Sequence, residues 1–177
     1  MDSLGRTILW KQFGAAVDML DAALAACPEA LWREPVWPAP DGAPERTQFW
    51  YVAYHTLFWL DVHLFGTEED FAPPAPFALT EQEDADGPLP DQVYSEEQLR
   101  GYLASLREKL HTTIMTMSDE QARRHVDFGW MEEGETVTFA ELQLYSLRHV
   151  QGHAAELSLL LGQHGIPIDA WATRAKD

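Results

Sequence analysis

The sequence predicts an all-α fold, a four-helix bundle with an up-down-down-up course. Three observations predict it. Four long stretches repeat apolar residues every third or fourth position, almost none alternates as a strand would, and the middle connection is 28 residues long, from Thr67 to Tyr94. A link of that length can travel back along a helix and let the third helix run parallel to the second, as in bundles with a long crossover. The 177 residues suit a single domain, 1–177, and 46% hydrophobic content is that of a globular chain. At this size about 70% of the unfolded surface is buried on folding, so no metal is needed to hold the fold together.

The first helix is expected from Ser3 to Ala26, where Ile8, Leu9, Phe13, Ala16, Val17, Leu20 and Leu24 recur in threes and fours before Pro28 stops it. Trp32 to Pro44 carries four prolines and reads as a loop. A second helix spans about Thr47 to Phe65 and ends at Gly66. The third opens on Ser95 with Gln98 three residues on, a capping box, and runs to about Met117. A short turn is expected near Asp119 to Arg123. The fourth long helix starts from Thr138 and Glu141 in the same arrangement and runs to about His164, ahead of Gly165 and Pro167.

Charge and cysteine content narrow the function classes. A formal charge of −17 repels phosphate backbones and anionic membranes, so neither nucleic acid nor a lipid surface is an expected partner. Cys27 is the single cysteine, which excludes an intrachain disulfide and a thiolate cluster and fits a reducing cytoplasm. No basic-then-apolar leader pattern is present, and the longest apolar run, Phe49 to Phe65, is interrupted by His55, Asp61 and His63. A cytoplasmic protein is expected.

The chemistry is concentrated in Arg148-His149-Val150-Gln151-Gly152-His153, which sets two imidazoles one helical turn apart on one face, close enough to chelate one ion. On a wheel of about 100° per residue, Leu142, Tyr145, His153, Glu156 and Leu160 lie within about 60° of His149, so the pair faces the interior and Gly152 leaves space beside it. His55 sits among aromatic residues on the second helix. An isolated imidazole in such surroundings would lose hydration for no return. Three histidines from two helices would leave an open position on a divalent metal. Glu156 shares their stripe and is the candidate catalytic residue, as a general base or as the group that orients a ligand imidazole. Tyr51 and Tyr145, one turn before His55 and His149, either bring hydroxyls toward the site or simply pack.

The segments Tyr54-His55-Thr56-Leu57 and Leu147-Arg148-His149-Val150-Gln151-Gly152-His153-Ala154-Ala155, together with the order of the helices, resemble the DinB-like (DinB/YfiT) metalloenzyme superfamily. The resemblance implies an up-down-down-up bundle that holds a divalent metal, zinc or nickel, through His55, His149 and His153. It further implies a small-molecule substrate. The activities it suggests are transfer or isomerisation with a low-molecular-weight thiol such as mycothiol or bacillithiol, or metal-dependent hydrolysis.

The remaining candidates read more plainly. His63, His111, His125 and His164 are expected at surfaces or helix ends, Asp18 and Asp21 in solvent, and Cys27 in helix-end packing. Glu108-Lys109-Leu110-His111 has Glu-x-x-His spacing, but a di-iron carboxylate bundle needs two such motifs. A non-catalytic bundle that binds a small molecule or another chain is the competing reading. Trp50, Tyr54, Leu57 and Phe65 on the second helix, and Leu144, Leu147 and Leu161 on the fourth, fall off the histidine stripe, and both readings therefore predict a homodimer.

Overall fold

The computed structural model describes residues 2–39, 44–79, 89–129, 131–132, 134–168 and 171–176. It is all-α apart from one two-residue strand pair. Helix α1 is Ser3–Ala26, α2 Phe49–Phe65, α3 Glu96–Thr116, the short α4 Asp119–Arg123 and α5 Phe139–Gln163; β1 (His125–Val126) pairs antiparallel with β2 (Val137–Thr138). Strands this short cannot show an alternating pattern, so the sequence gives no sign of them.

The helix ends follow the local chemistry. Asp2 Oδ1 accepts the Gly5 amide at 2.7 Å, Ser95 and Gln98 cap α3 reciprocally, and Thr138 accepts the Glu141 amide at 3.2 Å. Helix α2 starts two residues later than the periodicity predicts, because Pro44–Thr47 forms its own 3₁₀ turn. It stops where Gly66 adopts φ +87°, a conformation costly for any residue with a Cβ, and returns its amide to the Val62 carbonyl.

Helix α1 packs against α3 and α5, and α2 packs against the same two. Ion pairs and hydrogen bonds fix the neighbours. Arg6 Nη1 donates to the Met117 carbonyl and Arg100 pairs with Asp21 at 2.9 Å, joining α1 to α3 at both ends. Along α2 and α3, Trp50 meets Tyr94 just before α3, Asp61 meets Tyr102, and Phe65 meets Lys109. Between α2 and α5, His55 meets His149, and Gln143 Nε2 donates to the His63 carbonyl at 3.1 Å. One apolar cluster draws from all four long helices.

Two expectations about faces are corrected here. Trp50, Tyr54 and Leu57 do not form a free face, because all three are buried and the long connection folds onto Trp50 and Tyr54. The Tyr54 hydroxyl donates to the Ala78 carbonyl at 2.5 Å, its ring lies 4.9 Å from Tyr94 and 6.3 Å from Phe77, and only Phe65 of that set is exposed. Leu161 is likewise fully buried, Leu147 packs on the core, and Leu144 alone of the α5 trio is exposed. The second correction concerns Asp18. Its side chain is only 8% exposed, bonded to Arg107 Nε at 2.9 Å and to the Lys176 amide at 2.6 Å. The C-terminal strand of chain around Ala175 lies on α1 and covers it. Part of the long connection, residues 80–88, lies outside the described residues.

Candidate metal centre

Helix α5 presents His149 and His153 on one face a turn apart, and α2 brings His55 against them. The ring centroids are 4.6 Å apart for His149 and His153, 5.1 Å for His55 and His149, and 5.2 Å for His55 and His153. One ring nitrogen from each lies within 4.8 Å of the others, a group able to hold a metal ion. His55 Nε2 and His149 Nε2 are 3.1 Å apart. Two nitrogens bound to one tetrahedral centre at ~2.0–2.1 Å stand about 3.3 Å apart, so this pair already has nearly co-ligand separation.

The electrostatics suit the same purpose. Burial pushes the His149 ring down to about 2, and the neighbouring His55, His153 and His63 add to the effect. A neutral imidazole is the form that binds a metal. The Glu156 carboxylate lies 2.6 Å from His153 Nδ1. A proton held on that nitrogen donates to Glu156 and leaves the Nε2 lone pair for the cluster. The other α5 histidine lacks this support: His149 Nδ1 is buried without a hydrogen-bond partner among the described residues. With three imidazoles and no thiolate, the donor set fits borderline ions such as zinc, nickel, cobalt or copper.

A scan against protein-family models matches the DinB superfamily over residues 12–157. The chain belongs to the DinB superfamily. The matched span contains His55, His149, His153 and Glu156. No curated protein and no solved structure matches the chain significantly.

Within this DinB-superfamily fold, the other sequence candidates divide clearly. His111 is exposed and packs its ring 4.5 Å from Trp10, and Glu108 is exposed, so the Glu-x-x-His motif sits outside the cluster. His125 bonds Thr136 on the surface and His164 caps the end of α5, as expected. Cys27 is buried, and desolvation followed by the charge of Glu96 drives its thiol up to about 12, which removes it as a nucleophile. The Tyr51 hydroxyl accepts from Arg46 Nη1 at 3.0 Å, and the Tyr145 ring lies 5.5 Å from His63. Gly152 is exposed, and a Cβ there would meet nothing within 4 Å, so the space at this position opens to solvent rather than into the interior as the wheel suggests.

His63 lies in the last turn of α2, as a helix-end histidine would, but not at the surface. It is 1% exposed, its ring is 6.3 Å from His149 and near Trp59 and Phe128, and burial pushes it down to about 3. Eight residues separate it from His55, about 80° around the helix, so the wheel does contain this signal. Trp37 was also missed. Its ring stacks on His153 at 6.4 Å and 24°, held there because Val36 donates to the Thr47 carbonyl and Phe49 to the Glu34 carbonyl. Only the tertiary path of that proline-rich loop reveals it.

Proposed function

We propose that the chain is a divalent-metal-dependent enzyme, with zinc or nickel held by His55, His149 and His153 and a small molecule as its substrate. The convergence of three ring nitrogens from α2 and α5 within 4.8 Å carries this reading. A bound divalent ion would supply Lewis acidity and lower the pKa of a nucleophile in its remaining position. His149, kept neutral by burial, offers its lone pair without first losing a proton. Glu156 is a positioning residue that holds the His153 proton on Nδ1. Trp37 closes one side of His153 against water.

The reaction we favour is S-transfer from a low-molecular-weight thiol to an electrophilic small molecule. The nucleophilic sulfur must come from solution, because Cys27 is buried with its thiol pushed up to about 12. We read the chain as a single domain, 1–177, whose helix pairings support an up-down-down-up course. A cytoplasmic homodimer remains part of the proposal, although its apolar contact would have to use Leu144, Leu159 or Phe65 rather than the covered aromatics of α2. Among the described residues, no helix is long and apolar enough to cross a membrane.

Elemental analysis of tag-free protein purified without nickel resin tests the site. About one divalent ion per chain is expected, falling sharply in His149→Ala and His153→Ala. Full metal content in both variants would overturn the assignment. Cobalt-loaded protein should also develop a thiolate charge-transfer band on addition of a small thiol, and no response to any thiol would remove the S-transfer reading while leaving the metal site.

A further inference from the structure

Between α5 and the segment leading into β2 lies a cavity of about 390 Å³, separate from the three histidines. Met131, Val137, Leu142, Leu144 and Tyr145 give it an apolar wall. A volume of this size is at the lower end of what small-molecule sites use. Leu144 is 56% exposed, so the apolar wall reaches solvent and a ligand body could enter without unfolding anything.

The charged groups around that wall are of both signs. Arg148 lines the cavity with its guanidinium 5.6 Å from the Tyr145 ring, and no carboxylate of the described residues lies within ion-pair distance of it. Arg100, Arg107 and Arg123 by contrast all have carboxylate partners. Glu135 and Glu141 also line the cavity and are exposed. A dianion such as a phosphate ester would meet two carboxylates for one guanidinium. A lone amine would leave the guanidinium unanswered. A molecule with one carboxylate, one ammonium and an apolar body satisfies both signs and the wall together.

We propose that this cavity binds a small zwitterion with an apolar side chain, the amino-acid class, with Arg148 taking its carboxylate and Glu135 and Glu141 its ammonium. Tyr145 belongs to the wall and sits one turn before His149, so a bound molecule lies beside the histidine cluster without using it. The inference goes beyond the metal reading and does not rest on it.

Calorimetry on the full chain tests it, with L-phenylalanine, 3-phenylpropionate and 2-phenylethylamine as probes. Phenylalanine should bind at least tenfold more tightly than either singly charged analogue. Arg148→Leu should weaken phenylalanine and phenylpropionate about tenfold and leave phenylethylamine unchanged, while the double change Glu135→Gln with Glu141→Gln should do the reverse. Absence of saturable binding to phenylalanine at about 10 mM, or equal binding of phenylalanine and phenylpropionate to the unmodified chain, would overturn the proposal. Both of these outcomes are read on the unmodified chain, so they hold even if a variant fails to fold.

Discussion

Helix α2 carries two polar constellations in its interior, and they are built on opposite principles. Asp61, facing α3, is answered in full: Lys109 Nζ lies 2.5 Å from one carboxylate oxygen and the Tyr102 hydroxyl donates to the other at 2.7 Å. Facing α5, less than two turns earlier, His55 meets two further bases, His149 and His153. The first cluster balances its own charge and ties two helices together. The second gathers lone pairs from three imidazoles, and burial of His149 holds that ring neutral. Polar groups of one helix thus serve a structural lock in one place and a candidate ligand set in the other, and the difference lies in the kind of partner each one meets.

Acid should separate the two most strongly. His63 and His149 are held down to about 3 and about 2, against about 6.5 in an unfolded chain. Above that ordinary value both rings are neutral in either state and contribute no pH dependence. Below it the unfolded chain binds protons that the folded chain refuses, so stability falls as pH falls, until the folded rings themselves protonate. The slope is up to about 1.4 kcal/mol per pH unit for each ring. Urea titrations of chelated protein between pH 7 and 4.5 should show this loss, and His63→Phe should make it shallower. An unchanged slope in that variant would remove the buried ring as its source.

Metal comes next in size. At a free concentration of 100 to 1,000 times Kd, a bound ion stabilises the native chain by about 2.7 to 4.1 kcal/mol. Chelation should therefore lower the melting temperature of the unmodified chain and leave that of His149→Ala where it was. Asp61→Ala should give the complementary result, a loss of about 2–3 kcal/mol with metal content unchanged. That figure is set below the ~3–5 kcal/mol of a fully buried pair because the Lys109 side chain is 40% exposed and can turn to water. If Asp61→Ala also lost its metal, the two constellations would be one coupled unit and the contrast would fail.

Helix periodicity, caps and stops made the bundle legible. Asp2, Ser95, Thr138 and Gly66 act locally, and their partners lie within four residues. The three histidines were legible too, because the i, i+4 pair and a third imidazole in an aromatic helix match the pattern of the family that the chain resembles. What was hidden depends on distant chain. The wheel shows that Tyr54 lies off the His55 face but not that Ala78, Phe77 and Tyr94 will cover it. Asp61 is a plain interruption in an apolar run until Tyr102 and Lys109 arrive from α3. Trp37 reaches His153 only because a hairpin-like pairing between residues 34–36 and 47–49 aims its loop.

The smallest effect concerns the two nitrogens that do not face the cluster. His153 Nδ1 is held by Glu156 at 2.6 Å, whereas His149 Nδ1 is buried with no acceptor among the described residues. If Glu156 acts by fixing the proton on His153, Glu156→Gln keeps a side-chain acceptor and should weaken metal binding less than Glu156→Ala, which removes it. Losses of an outer partner run about 10–100-fold in metal affinity, equivalent to about 1.4–2.7 kcal/mol. A residue that merely packed would show no such ordering, and one that acted only as a general base would leave affinity intact in both variants while abolishing turnover. Competition titrations with a chromogenic chelator distinguish the three outcomes. The ordering unmodified, then Gln, then Ala is the one that makes Glu156 for His153 what Lys109 is for Asp61, a more exposed partner that satisfies a polar group on the inner side.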